Sequence, residues 1–154
     1  MVWSVRAAKP EDLDTLVAFN QQMALDTEGK VLEEARVRAG VGRALAEPRL
    51  ARYFVVEAAQ SGDVQVVGQL MLTEEWSDWR NGRFLWIQSV YVRPSHRRRG
   101  IYRALHEHVM AMAAADDEVV GIRLYVETEN TQAQKTYEDV GMQRCHYWMY
   151  EQPA

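Results

Sequence analysis

Apolar positions recur along the chain with two periods, and the period changes several times. Residues 2–7 predict a short strand. Pro10 then opens a helix, a position where its missing N–H costs nothing. Glu11 and Asp12 suit the positive first turn, and Leu13, Leu16, Val17, Asn20 and Met23 follow at mostly helical spacing. A second helix is predicted over 31–45, weakened by Gly40 and Gly42. Residues 53–58 and 64–73 are β-rich runs around the turn Ser61-Gly62-Asp63, which predicts an antiparallel hairpin. An Asn-Gly signal at Asn81-Gly82 precedes another strand over 84–92, ending at Pro94. From Gly100 the period becomes helical, with Tyr102, Leu105, Val109 and Met112 on one face and an end near Asp116. A strand follows over 119–126, then a short helix over 131–140 with Asn130 as N-cap and Gly141 as its stop. Residues 143–150 alternate again and predict a strand that closes the sheet.

The order is therefore β-α-α-β-β-β-α-β-α-β. It predicts an α/β fold: a mixed, largely antiparallel sheet with one parallel crossover pair, flanked by helices, in a single domain over 1–154. Ligands in such sheets bind near the carboxyl ends of diverging strands, here the end of strand 84–92.

Bulk properties narrow the function. With 154 residues, 47% apolar and 26% charged, the chain can bury a real core. A net charge of -4 argues against general affinity for nucleic acid or an anionic membrane. The single cysteine, Cys145, allows no intrachain disulfide and fits a reducing cytoplasm. The first residues lack a basic start followed by an apolar stretch, so no secretory signal is expected, and no apolar run approaches a membrane span.

Chemistry concentrates where strand 84–92 runs into Arg97-Arg98-Arg99-Gly100 and a helix. Cations at a helix N-terminus oppose the dipole, at ~0.3–1 kcal/mol each, and a bound anion reverses the sign. Free N–H groups, a glycine allowing close approach and arginine forks together suit a phosphate. The plainer alternative is an exposed basic turn. Neither a Walker loop nor a Rossmann turn is present.

Arg97-Arg98-Arg99-Gly100-Ile101-Tyr102 resembles the Gln/Arg-x-x-Gly-x-Gly/Ala signature of the GNAT acetyltransferase superfamily. Residues 124–142, with Asn130, Ala133, Tyr137 and Gly141-Met142, resemble that family's second motif. Both motifs stand in the family's order, about thirty residues apart by count, and the resemblance covers nearly the whole chain. It implies an acetyl-CoA-dependent N-acetyltransferase acting on a primary amine. It further implies that backbone amides over Arg97 to Tyr102 hold the CoA pyrophosphate, with main-chain groups of Val90, Tyr91 and Val92 along the pantetheine arm. Asn130 and Ala133 then contact CoA, and Tyr137 acts as general acid near its sulfur. Tyr102 departs from the signature, which has Gly or Ala there, and its bulk could narrow the approach to the pyrophosphate. Family members resembling polyamine acetyltransferases carry a Glu where Gln88 stands. Gln is no base, which leaves Glu74, Glu75, Glu127 or water to take the amine's proton.

Glu74-Glu75-Trp76-Ser77-Asp78-Trp79 predicts an acidic, aromatic loop able to hold a small cationic acceptor, or one whose tryptophans pack on the sheet or a second copy of the chain in a homodimer. His106 and His108 point apart on a helix and share no metal, and no metal is expected. His96 and His146 lack a ligand cluster, and Cys145 lacks the spacing of a nucleophile. Two alternatives remain: a CoA-binding sensor without catalysis, and a nucleic-acid-binding module using Arg97 to Arg99 and Arg103.

Overall fold

The computed structural model describes residues 2–154; residue 1, where the expected domain range begins, lies outside them. Five strands, β1 (Val2–Ala7), β2 (Arg52–Gln60), β3 (Asp63–Ser77), β4 (Gly82–Val92) and β5 (Val119–Arg123), form one sheet in chain order. All neighbours are antiparallel except β4 and β5, which are parallel. The predicted mixed α/β architecture is thus the observed one. The crossover joining the parallel pair is helix α3 (Ile101–Ala114). Helices α1 (Leu13–Glu28) and α2 (Glu34–Ala46) cover one face of the sheet, while α3 and the short α4 (Thr131–Asp139) cover the other.

Period-2 alternation on β2 decides which side chain faces which layer. Tyr53 and Val55 join Leu16, Val17, Val41 and Ala44 beneath α1 and α2. Phe54, Val56 and Ala58 join Leu72, Leu85, Ile87, Ile101, Leu105 and Val109 beneath α3. A strand buried on both faces reads as a continuous apolar run, which is how residues 53–56 appear in the sequence.

Three predicted boundaries move. Strand β3 runs on to Ser77, so Glu74 to Ser77 are strand residues paired with β4 and not a loop. The β5 ladder ends at Arg123, short of the expected residue 126. Residues 143–150, expected as a closing strand, belong to no strand: the segment is irregular, bends at His146 and is exposed. At the β3–β4 turn Asn81 takes the left-handed φ of +48°, and Gly82 starts β4. A Cβ on Gly82 would lie 2.6 Å from the Glu118 carbonyl oxygen, so only glycine lets β4 and β5 begin this close together.

The start of the chain is pinned by charge. Arg6 bonds Asp12 through both terminal nitrogens, at 2.7 and 3.0 Å, and Glu57 through Nε at 2.7 Å. The Lys9 amide also donates to Asp12. These bonds, the guanidinium first, hold the buried Asp12 carboxyl below the usual carboxylate range. A carboxyl whose pKa is lowered on folding stabilises the fold above its unfolded value near ~3.9, and that contribution is lost as pH falls through the folded value. Asp12→Asn should cost about 1–3 kcal/mol by urea unfolding at pH 7. The difference between wild type and variant should shrink below pH 4, and a constant difference would show that the ionised pair contributes nothing.

Candidate functional site

The site begins where two parallel strands stop being neighbours. β4 and β5 are paired only from Arg83↔Val119 to Trp86↔Arg123. Beyond Trp86, β4 continues to Val92 while the segment after β5 leaves the sheet, so one edge of β4 from Ile87 onward faces an opening. A bulge reinforces the divergence. Gln69 pairs with Tyr91 and Met71 with Gln88, so Ser89 and Val90 together oppose Leu70. Ser89 adopts φ +51°, unusual for a residue with a side chain.

A buried polar network holds that bulge. Gln69, with no exposed surface, donates from Nε2 to the Ser89 carbonyl at 2.9 Å and to Asn20 Oδ1 at 3.0 Å. Asn20, on the buried face of α1, donates to the Tyr53 hydroxyl at 3.2 Å. Burial raises the Tyr53 pKa, against its hydrogen bonds to Asn20 and Ser89, so the phenol stays a neutral partner. The reading of motifs missed Gln69, Ser89 and Tyr53. The signal available was a polar side chain inside each of two apolar stripes, Asn20 among Leu16, Val17 and Met23, and Gln69 between Val67 and Leu70.

At the carboxyl end of β4 the arginines divide by role. Arg93 is fixed by Nε to the Val66 carbonyl at 2.9 Å and stacks over Phe19. Arg97 donates to the Val92 carbonyl at 2.9 Å, lies over the buried ring of Tyr91 and reaches Asp26 at 3.8 Å. Arg98 and Arg99 are exposed and have no ion-pair or hydrogen-bond partner among the described residues. Gly100 caps α3 at φ +86°, and a Cβ there would meet nothing nearer than Trp3 at 3.7 Å, so its surface is open to close approach. The first amides of α3 have no intrahelical acceptor. Two free guanidinium groups, an open glycine and a helix N-terminus together can bind a phosphate group.

Tyr102 points the other way. Its ring is buried and meets Tyr137 edge-on, centroids 5.4 Å apart, so its bulk lies in the core and not over the loop. That contact joins the first turn of α3 to α4. Tyr137 is half-buried, and burial raises its phenol pKa above the ordinary value, keeping it protonated at neutral pH. Asn130 caps α4 through Oδ1, which accepts from the Ala133 amide at 3.2 Å, leaving its amide nitrogen free of a partner among the described residues. Glu127 is exposed and braces the same turn by accepting from the Glu129 amide at 2.7 Å.

The far end of the opening is aromatic and charge-paired. Glu75 accepts from Trp86 Nε1 at 2.8 Å and from Arg123 at 3.2 and 3.3 Å. Trp86 lies 6.1 Å from Tyr125, and Arg123 sits 3.6 Å over the Phe84 ring. Glu74 pairs with Arg83 at 3.3 Å and Arg52 at 3.6 Å. Neither carboxylate is therefore free. Gln88 is held across the strands by Thr73 Oγ1 at 2.6 Å, while Trp76 and Trp79 are exposed. His106 is buried, which lowers its pKa, and His108 stacks on Phe54, so the two do not converge. Among the described residues no group of three or more His, Cys, Asp or Glu is arranged to hold a metal, and no helix is long and apolar enough to cross a membrane.

The family model "Acetyltransferase (GNAT) family" matches residues 18–142. A possible acetyltransferase from Clostridium difficile 630 is 44% identical, with a TM-score of 0.89 over 100% of this chain and 99% of that one. Two more distant structures share the fold. A predicted acetyltransferase with acetyl-CoA from Clostridium acetobutylicum is 18% identical, with a TM-score of 0.77 over 98% and 96% of the two chains. An aminoglycoside acetyltransferase from an uncultured soil metagenomic sample is 24% identical, with a TM-score of 0.73 over 100% and 99%. Comparison with curated proteins gives no significant match.

Gln69→Leu keeps the volume but removes both donors, leaving Asn20 Oδ1 and the Ser89 carbonyl buried without partners. The expected cost is about 2–4 kcal/mol, at 1–3 per orphaned group. Ser89→Gly, which suits a positive φ, should change stability by less than about 1 kcal/mol. Urea unfolding of the two variants checks both values, and a Gln69→Leu cost below 0.5 kcal/mol would mean that the network does not secure the bulge.

Proposed function

The chain belongs to the acetyltransferase (GNAT) family, and from that premise we propose that it moves an acetyl group from acetyl-CoA to a primary amine by direct attack, with Tyr137 as general acid. The observation that carries this reading is the shared opening beside β4. It has unpaired Arg98 and Arg99 with Gly100 and the α3 N-terminus at one end, and the protonated phenol of Tyr137 on the helix that borders it.

Acetyl-CoA supplies the activated thioester. Arg98, Arg99 and the first amides of α3 bind its pyrophosphate, with Gly100 allowing close approach. The free edge of β4 around Val90 to Val92 offers main-chain groups to the pantetheine arm, although the Val92 carbonyl already accepts from Arg97. The amide of Asn130 and the surface of Ala133 complete the contacts. As the C–N bond forms and the C–S bond breaks, Tyr137 donates its proton to the departing sulfur, and the proton shed by the acylated nitrogen, passed through water, restores the phenol.

The acceptor is read as a small amine, cationic in its resting state, held between Trp86 and Tyr125, with Trp76 on the opposite face of β3. A free carboxylate 4 Å from an ammonium gains ~4 kcal/mol at an effective dielectric near 20. Glu75 is shared with Arg123 and Glu74 with two arginines, so each offers less than that. The aromatic faces then carry a larger part of the recognition. The ammonium must lose a proton before attack, through water or through Glu75, Glu74 or Glu127.

Tyr137→Phe should lower kcat roughly ten- to a thousandfold in a thiol-release assay with an amine panel, with CoA affinity unchanged by calorimetry. Because burial raises the Tyr137 pKa, the wild-type rate should show no descending limb from this group below about pH 10. Gly100→Val should abolish CoA binding. A kcat within about twofold of wild type in Tyr137→Phe, with chemistry rate-limiting, would remove the general-acid role.

A further inference from the structure

Arg123, the last residue of β5, sits beside the aromatic end of the opening with donors to spare. It is the register partner of Trp86, and its guanidinium lies over the Phe84 ring, 3.6 Å from the centroid. Its Nη1 donates to both oxygens of Glu75, at 3.2 and 3.3 Å. The same Glu75 Oε1 accepts from Trp86 Nε1 at 2.8 Å. One carboxylate oxygen therefore ties the indole and the guanidinium side by side.

That arrangement uses only part of the arginine. A guanidinium carries its N–H donors in one plane, as a fork. Those on Nη1 face Glu75, while Nε and Nη2 have no hydrogen-bond or ion-pair partner among the described residues. The side chain keeps 29% of its surface exposed, so a ligand can reach it. Two adjacent donors in a plane match the two oxygens of a carboxylate through parallel bonds. The ring beneath and Glu75 alongside already fix the fork, so docking a carboxylate there costs little side-chain freedom. A second guanidinium stands near: Arg80 lies 5.2 Å from the Phe84 ring, bonded only to Ser77 Oγ at 3.5 Å and to no carboxylate among the described residues.

We propose that the acceptor carries a carboxylate besides its amine, and that Nε and Nη2 of Arg123 bind the carboxylate while the amine lies between Trp86 and Tyr125. The substrate class is an amino carboxylate. This inference rests on the acetyl-transfer reading and deepens it. Glu75 is then a positioning residue, because its ion pair turns the arginine so that the outer edge of the fork meets the ligand. It also leaves the Trp86–Tyr125 rings beside a carboxylate, which favours the ammonium end of such a molecule on that side. A diamine would bring a second ammonium against Arg123, and this like-charge contact selects against it.

Thiol-release kinetics of the full chain with acetyl-CoA test this on two matched series. γ-Aminobutyrate is compared with its carboxamide and with putrescine, and ε-aminocaproate with its carboxamide and with cadaverine. In at least one series the carboxylate should have a KM at least ~10-fold below that of its carboxamide, the range of a hydrogen-bonded charge, with the diamine weaker still. A carboxamide or diamine used as well as the carboxylate in both series overturns the proposal. Arg123→Gln should bring the two KM values together. A merely structural arginine would change both alike, so an unchanged KM ratio in Arg123→Gln also overturns it. The wild-type ratio decides even if that variant fails to fold. If no amine in either series is acetylated, the acetyl-transfer reading fails on its own account. Ligand-observed NMR titration of the full chain with ε-aminocaproate and with its carboxamide then decides the carboxylate site. Binding of the carboxylate at least ~10-fold tighter supports it, and equal or absent binding overturns it.

Discussion

The amide of Gln69 sits where no water reaches, and each of its two protons has one acceptor: the Ser89 carbonyl on β4 and Asn20 on α1. Much of the site follows from that constraint. If the Ser89 carbonyl lacked a donor, the extra residue in β4 would have no reason to stay at φ +51°, and the strand would relax toward regular pairing. With the bulge held, β4 runs on alone beyond Trp86, and an opening forms in the sheet where the β5 ladder stops at Arg123. The network draws one residue from each of α1, β2, β3 and β4, so it fixes the opening to the layer of helices behind it.

Around the opening, positive charge is sorted by geometry. Three consecutive arginines look equivalent along the chain, but Arg97 is spent on the Val92 carbonyl and the Tyr91 ring, which locks the end of β4. Arg98 and Arg99 keep their donors. At the other end the sorting runs the opposite way: Glu74 and Glu75 carry the acidic character of the sequence, and arginines on β2, β4 and β5 neutralise it. The site is therefore more polarised at its arginine end than at its aromatic end. The edge-on contact of Tyr102 and Tyr137 ties the two helices that border it, which gives a physical role to a tyrosine where the family signature has a small residue.

Sequence alone determined the element types and their order from β1 to α4, the caps of α4 at Asn130 and Gly141, the glycine at the start of α3 and the family of the chain. These are local: a cap, a turn or an apolar period is written within a few residues, and the backbone hydrogen bonds it satisfies lie within one turn. Only the tertiary structure decided that β4 and β5 separate at Trp86, that the Arg97 guanidinium is bonded within the chain while that of Arg98 is not, that Glu75 is bound by Arg123, and that 143–150 finds no partner in its own sheet among the described residues. Each of these depends on which distant residue supplies the other half of a hydrogen bond or ion pair. A strand, unlike a helix, satisfies its backbone only through another strand, so its sequence can state the propensity to pair but not whether a partner stands beside it.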